Sequence, residues 1–154
     1  SINTAVALAL PELLNRGFNI IHAVGQNNEL PKSRPGYAPL SYITNMADMY
    51  IASDFVISRG GAVTCAELDM TNSFALIVPL PIGNGEQLSN AQDLVDKGAA
   101  KICLNSEFTA DWLLANIDSL ASAADSWNIK RVQNSKPRAA EIIGKSILEK
   151  LKVN

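Results

Sequence analysis

Histidine, cysteine and aromatic side chains are scarce in this chain, and each shortage removes a class of chemistry. A single histidine, His22, stands among 154 residues. A zinc site or a Ser-His-Asp triad confined to the chain is therefore not expected, and no metal or cofactor is called for. The two cysteines, Cys65 and Cys103, lie in apolar surroundings without CxxC spacing. They read as reduced core thiols of a cytoplasmic protein rather than as a redox or metal pair. Aromatic residues make up only 6% of the chain, and no basic motif accompanies them. Nucleic acid is accordingly a poor candidate partner. No apolar run reaches transmembrane length, and the start lacks the basic-then-apolar pattern of a secretory signal, so a soluble protein is expected.

What is present suits one folded domain over residues 1–154, because 47% hydrophobic content at this length can bury a core. Net charge is only −2 but unevenly spread. Residues 130–154 carry seven basic residues against Glu141 and Glu149, a balance of +5 that leaves −7 elsewhere. The plain reading is a solvated face of terminal helices. The sharper one is a weak anchor for anionic lipid headgroups.

Apolar spacing and punctuation predict alternating helices and strands. Helices are expected at 2–15, 45–52, 62–70, 86–97, 109–121, 124–131 and 138–152, the last just after Pro137. Strands are expected at 18–24, 38–42, 54–58, 74–78 and 100–104. The runs Phe55-Val56-Ile57 and Ala75-Leu76-Ile77-Val78 are continuously apolar, as strands buried on both faces should be. This order predicts an α/β fold, a Rossmann-like parallel sheet with helices on both faces. Ligands of such sheets bind beyond the carboxyl ends of the strands.

Two glycine-bearing strand-to-helix junctions fall at those ends, one βα unit apart. The first is Arg59-Gly60-Gly61-Ala62-Val63-Thr64 with Glu67 one turn on; the second is Asn84-Gly85-Glu86-Gln87-Leu88-Ser89-Asn90-Ala91. Helix N-termini bind anions, and acid and amide groups bind sugar hydroxyls. A phosphate-linked sugar satisfies both. Gly60 and Gly61 let the backbone approach a ligand closely and take conformations closed to other residues. Thr64 lies in a first helical turn, where its hydroxyl and the free N–H groups can meet a phosphate, although an ordinary tight turn reads the same way. Glu67 is placed to accept a ribose diol, or is a surface glutamate. Arg59 is a phosphate partner or a capping charge. Gln87 and Asn90 share a helix face and suit pyranose hydroxyls. Glu86 best complements the helix dipole. Spacing reaches a nucleotide-sugar or mononucleotide site and no further.

With these motifs the segment from Tyr42 to Ala100 resembles the C-terminal domain of the MurG family, glycosyltransferases of peptidoglycan synthesis. Its hallmark is Arg-Ser-Gly-Ala-x-Thr, a following Glu, and a Gln-containing stretch ending in Asn-Ala. The run Pro-Leu-Pro-Ile-Gly-Asn-Gly-Glu-Gln at 79–87 is similar to the actinobacterial branch. The resemblance implies the donor-binding half of a GT-B fold and an inverting transfer of N-acetylglucosamine from UDP-N-acetylglucosamine to lipid I, making lipid II. It further implies a cytoplasmic enzyme at the inner face of the cell membrane. Position by position, Ile43 would present backbone groups to uracil and Glu67 would hold the ribose. Ala62, Val63 and Thr64, with Arg59 nearby, would meet the pyrophosphate and sugar. Gln87 and Asn90, with Glu86 beside them, would face N-acetylglucosamine.

Two departures stand out: Gly60 replaces the usual Ser, and Glu86 a Gln common elsewhere. The family's domain also opens with a strand and a Gly-Gly-Ser-x-Gly-Ala phosphate loop, and a separate N-terminal domain holds the acceptor and the presumed base. Neither is in this sequence, and His22 does not match the catalytic histidine. The expectation is a donor half with no catalytic residue of its own, inactive by itself. Other readings are the donor subunit of a dolichol-linked N-acetylglucosaminyltransferase, another GT-B nucleotide-sugar enzyme, or a non-catalytic binding module.

Overall fold

In the structure, a computed structural model, residues 1–81 and 84–134 are described. The expected helix at 138–152 and most of the basic segment lie outside them. The chain groups into two compact units, residues 1–45 with 106–117, and residues 46–105 with 118 onward.

In the first unit, helix α1 (Ile2–Asn15) begins at Ser1, whose Oγ accepts the Thr4 N–H at 3.3 Å. This is a serine N-cap, which satisfies one of the orphan donors of the first turn. Ala5, Val6, Ala9, Leu10 and Leu13 form its buried stripe. Gly17, at φ 85°, ends it in the left-handed region that glycine enters without strain. Strands β1 (Ile20–Ala23) and β2 (Tyr37–Leu40) then pair in parallel, with His22 opposite Pro39.

His22 is a satisfied core histidine. Asn3 Nδ2 donates to the Val24 carbonyl at 2.9 Å, which turns Asn3 Oδ1 toward His22 Nε2 at 3.1 Å. The amide oxygen only accepts, so Nε2 carries the proton and Nδ1 accepts from the Tyr37 hydroxyl at 3.0 Å. Burial pushes the imidazole below its ordinary value of 6.5. Folding therefore favours the neutral ring. Above pH 6.5 its contribution to stability is fully present; as pH falls further, the unfolded chain binds the proton first and stability declines until the folded-state pKa is passed. Urea unfolding at pH 7.5 and about 5.5 is expected to show this decline, and His22→Gln to flatten it. An equal decline in both proteins would assign it to other groups.

The second unit contains α2 (Met46–Ala52), β3 (Val56–Ser58), α3 (Ala62–Met70), β4 (Ala75–Ile77), α4 (Glu86–Asp96) and β5 (Ala100–Ile102). Its strands are parallel in the order β3-β4-β5. The α/β class with parallel strands is as expected, but the described strands pair as two sheets, of two and three strands, rather than one. The core joins Tyr50, Cys65, Leu68, Ala75, Ile77, Ala91, Leu94, Ala99 and Ala100. Leu68 and Leu94 are fully buried, each contributing about 1.5–3 kcal/mol of transfer free energy.

Helix α5 (Ala110–Asn134) corrects the expectation of two separate helices at 109–121 and 124–131. Between them stand only Ser122 and Ala123, with neither glycine nor proline to stop the first helix. Among the described residues no helix is long and apolar enough to cross a membrane.

Candidate functional site

The predicted polar residues of the second unit gather at the carboxyl ends of β3 and β4. Beyond Ser58 the chain turns through Arg59 and the two glycines into α3. Gly61 is its N-cap, at φ −65° and ψ 146°, without a side-chain cap. The first helical bond runs from the Cys65 N–H to the Gly61 carbonyl at 2.9 Å. The N–H groups of Ala62, Val63 and Thr64 precede it and have no acceptor within the helix. Ala62 and Val63 are exposed and Thr64 is half-buried. Helix α4 starts after Gly85, at φ 77°, and Glu86 is its first residue, exposed where a negative charge suits the dipole.

Gly60 is where the two junctions meet. Neither Gly60 nor Gly61 has positive φ, so the expected conformational freedom is not used. Close approach is. A Cβ on Gly60 would collide with the backbone carbonyl of Gln87 and press on Ile77 at 3.1 Å. The Gln87 side chain reinforces this contact: its Oε1 accepts the Gly60 N–H at 3.2 Å and the Leu80 N–H at 2.9 Å. Asn90 Nδ2 donates to the Gly60 carbonyl at 3.1 Å. Both amides thus clamp the first turn of α4 to the junction before α3. Because their partners fix which end faces inward, Gln87 keeps its NH₂ and Asn90 its Oδ1 for other use.

Arg59 is also committed to the fold. One guanidinium nitrogen donates to the Val78 carbonyl at 2.9 Å and to Asn105 Oδ1 at 2.7 Å, tying together the chain just past β3, β4 and β5. Burial lowers its pKa. Two of its three nitrogens are not used in these bonds. Glu67 is half-buried, and its Oε2 accepts the Tyr50 hydroxyl at 3.2 Å. Ile43 belongs to the first unit, on the connection after β2.

Tyr50 and Asn105 were not singled out from the sequence. A tyrosine in a short apolar helix reads as core, which it also is. Asn105 offered one signal, a polar residue shortly after a strand's carboxyl end. A hollow of about 280 Å³ lies at the opposite, amino end of β4 and β5, lined by Phe74, Gly98, Lys101 and Trp127 among others, away from these groups.

The sequence profile of the glycosyltransferase family 28 C-terminal domain matches residues 1–145. Several curated relatives carry the name UDP-N-acetylglucosamine–N-acetylmuramyl-(pentapeptide) pyrophosphoryl-undecaprenol N-acetylglucosamine transferase. That of Corynebacterium glutamicum strain R is 45% identical over 121 residues, covering 78% of this chain and 34% of the relative. That of Streptomyces coelicolor is 41% identical, covering 75% and 33%. The chain thus spans about a third of the length of these relatives. Among solved structures, Acinetobacter baumannii MurG superposes with a TM-score of 0.66 at 30% identity, covering 95% of this chain and 46% of that one. A glycotransferase of kitacinnamycin shares the fold, with a TM-score of 0.57 at 18% identity over 90% of this chain and 38% of that one.

Proposed function

Since the chain belongs to the glycosyltransferase family 28 C-terminal domain family, we propose that it is the UDP-N-acetylglucosamine-binding domain of an inverting transferase that converts lipid I to lipid II. The observation that carries this reading is the clamp at Gly60, which sets the N-termini of α3 and α4 side by side at the carboxyl ends of adjacent strands. The N–H groups of Ala62, Val63 and Thr64 receive the donor pyrophosphate, and the same groups stabilise the charge that grows on UDP as it leaves. The unused part of the Arg59 guanidinium adds positive charge beside them. Glu67 accepts the ribose hydroxyls. The Gln87 NH₂ donates to, and Asn90 Oδ1 accepts from, hydroxyls of N-acetylglucosamine, with Glu86 at the rim. For Ile43 the uracil role rests on the resemblance alone.

On this reading acceptor binding and the general base lie in sequence outside this chain, so the domain alone is expected to bind donor without transferring sugar. Work at the inner face of the membrane, on a lipid-linked acceptor, follows from the same reading. Titration of the ¹⁵N-labelled chain with UDP and UDP-N-acetylglucosamine, against ADP and UDP-glucose, tests it. Uridine-selective amide shifts at Thr64, Glu67, Gln87 and Asn90 are expected. Equal shifts with ADP, or shifts elsewhere only, would refute the donor site.

A further inference from the structure

We propose that Tyr50 is a positioning residue for ribose recognition, its phenol holding the Glu67 carboxylate in the orientation that accepts the sugar's vicinal hydroxyls. The inference rests on the donor-site reading above.

Tyr50 lies in α2 and is 3% exposed, yet its hydroxyl reaches Glu67, an acid of the candidate site. The carboxylate can only accept, so the phenol is the donor in the 3.2 Å contact with Glu67 Oε2. The phenol of α2 thus meets the residue of α3 that is read as the ribose ligand.

The main chain of Tyr50 is held as well. Ser73, 1% exposed, donates its Oγ hydrogen bond to the Tyr50 carbonyl at 3.1 Å and contacts Thr71 Oγ1 at 3.0 Å. A glutamate's terminal torsion is broad and roughly two-fold, so a lone carboxylate samples many orientations. Tied at Oε2 by the phenol, it samples fewer orientations, and the bond leaves Oε1 and a second lone pair of Oε2 to accept from a diol. Burial first, then the charge of Glu67, pushes the phenol pKa up to about 12, which keeps the donor protonated across neutral pH.

Binding of UDP and of 2′,3′-dideoxy-UDP to wild type, Tyr50→Phe, Glu67→Ala and the double variant tests this by NMR titration. Wild type is expected to prefer UDP. Tyr50→Phe should weaken UDP by about five- to tenfold, leave the dideoxy nucleotide nearly unchanged, and add nothing in the Glu67→Ala background. Equal weakening of both nucleotides, or an undiminished loss on top of Glu67→Ala, would reduce Tyr50 to a core residue and overturn the proposal. A second readout needs no variant: the ¹³Cζ resonance of Tyr50 in wild type should move with UDP and not with the dideoxy nucleotide, and identical movement would overturn it. Wild type that binds UDP without distinguishing the diol would overturn the roles of Tyr50 and Glu67 while leaving the donor site standing. Wild type that binds neither would bring down the donor-site reading itself.

Discussion

Gly60→Ala is expected to lower the unfolding free energy by about 1–3 kcal/mol, toward the upper end of the range for overpacking. A single methyl group is a small addition, but its obstacle is the main chain of Gln87, which cannot swing aside like a side-chain tip. Relief requires lifting the first turn of α4, and that stretches the bonds from Gln87 and Asn90 to Gly60. Gly61→Ala is the matched control. The nearest atom to its Cβ would be Thr64 Oγ1, at an ordinary 3.7 Å, and φ is already −65°. Urea midpoints of the two variants decide the matter, since equal losses would show that glycine at 60 is not there for space.

The second large effect is expected at Gln87, where fold and ligand binding make opposite demands. Gln87→Ala leaves the N–H groups of Gly60 and Leu80 without their acceptor and should cost about 2–4 kcal/mol, since an unpaired donor costs about 1–3 kcal/mol. Gln87→Glu supplies an oxygen to the same two donors and should keep most of the stability. It also replaces the outward NH₂ with a second carboxylate oxygen, in a place proposed to face a hydroxyl near a pyrophosphate. Affinity for UDP-N-acetylglucosamine should then fall by at least about tenfold in a folded protein. Denaturation and titration of the two variants separate the roles. Destabilisation by Glu as severe as by Ala would contradict the clamp, and undiminished affinity would remove the residue from the sugar site.

The same residues mark how much of the fold and the site is legible in the sequence. Helix α3 was legible to its end residues, because Gly60-Gly61 precede it and polar Thr71-Asn72 follow it. Strands are one to three residues shorter than the expected runs, and β2 starts one residue early. The edges of those runs, such as Phe55 and Val78, are buried or half-buried without belonging to a ladder, and burial is what apolar letters record. The single helix over 110–134 was split in reading because Ser-Ala at 122–123 interrupts the apolar pattern without breaking the backbone.

At the site, one-dimensional spacing identified the amides of Gln87 and Asn90 as sharing a face. It carried no information about Gly60, 27 and 30 residues away, on which both close. Glycine at that position acquires a reason only in three dimensions, where the Gln87 carbonyl fills the space of a side chain. Tyr50 was hidden for the opposite reason. Its burial explains its presence well enough that nothing in the sequence demands its hydroxyl.

The clamp also bears on the entropy of recognition. An exposed glutamine or asparagine samples several rotamers, and freezing such a side chain on binding costs about 0.5–1.5 kcal/mol. Gln87 and Asn90 give up that freedom when the chain folds, because one end of each amide is already bonded to the backbone of Gly60. A hydroxyl that engages the other end meets a donor and an acceptor whose disorder has already been removed, so the ordering loss falls on the ligand and not on the protein.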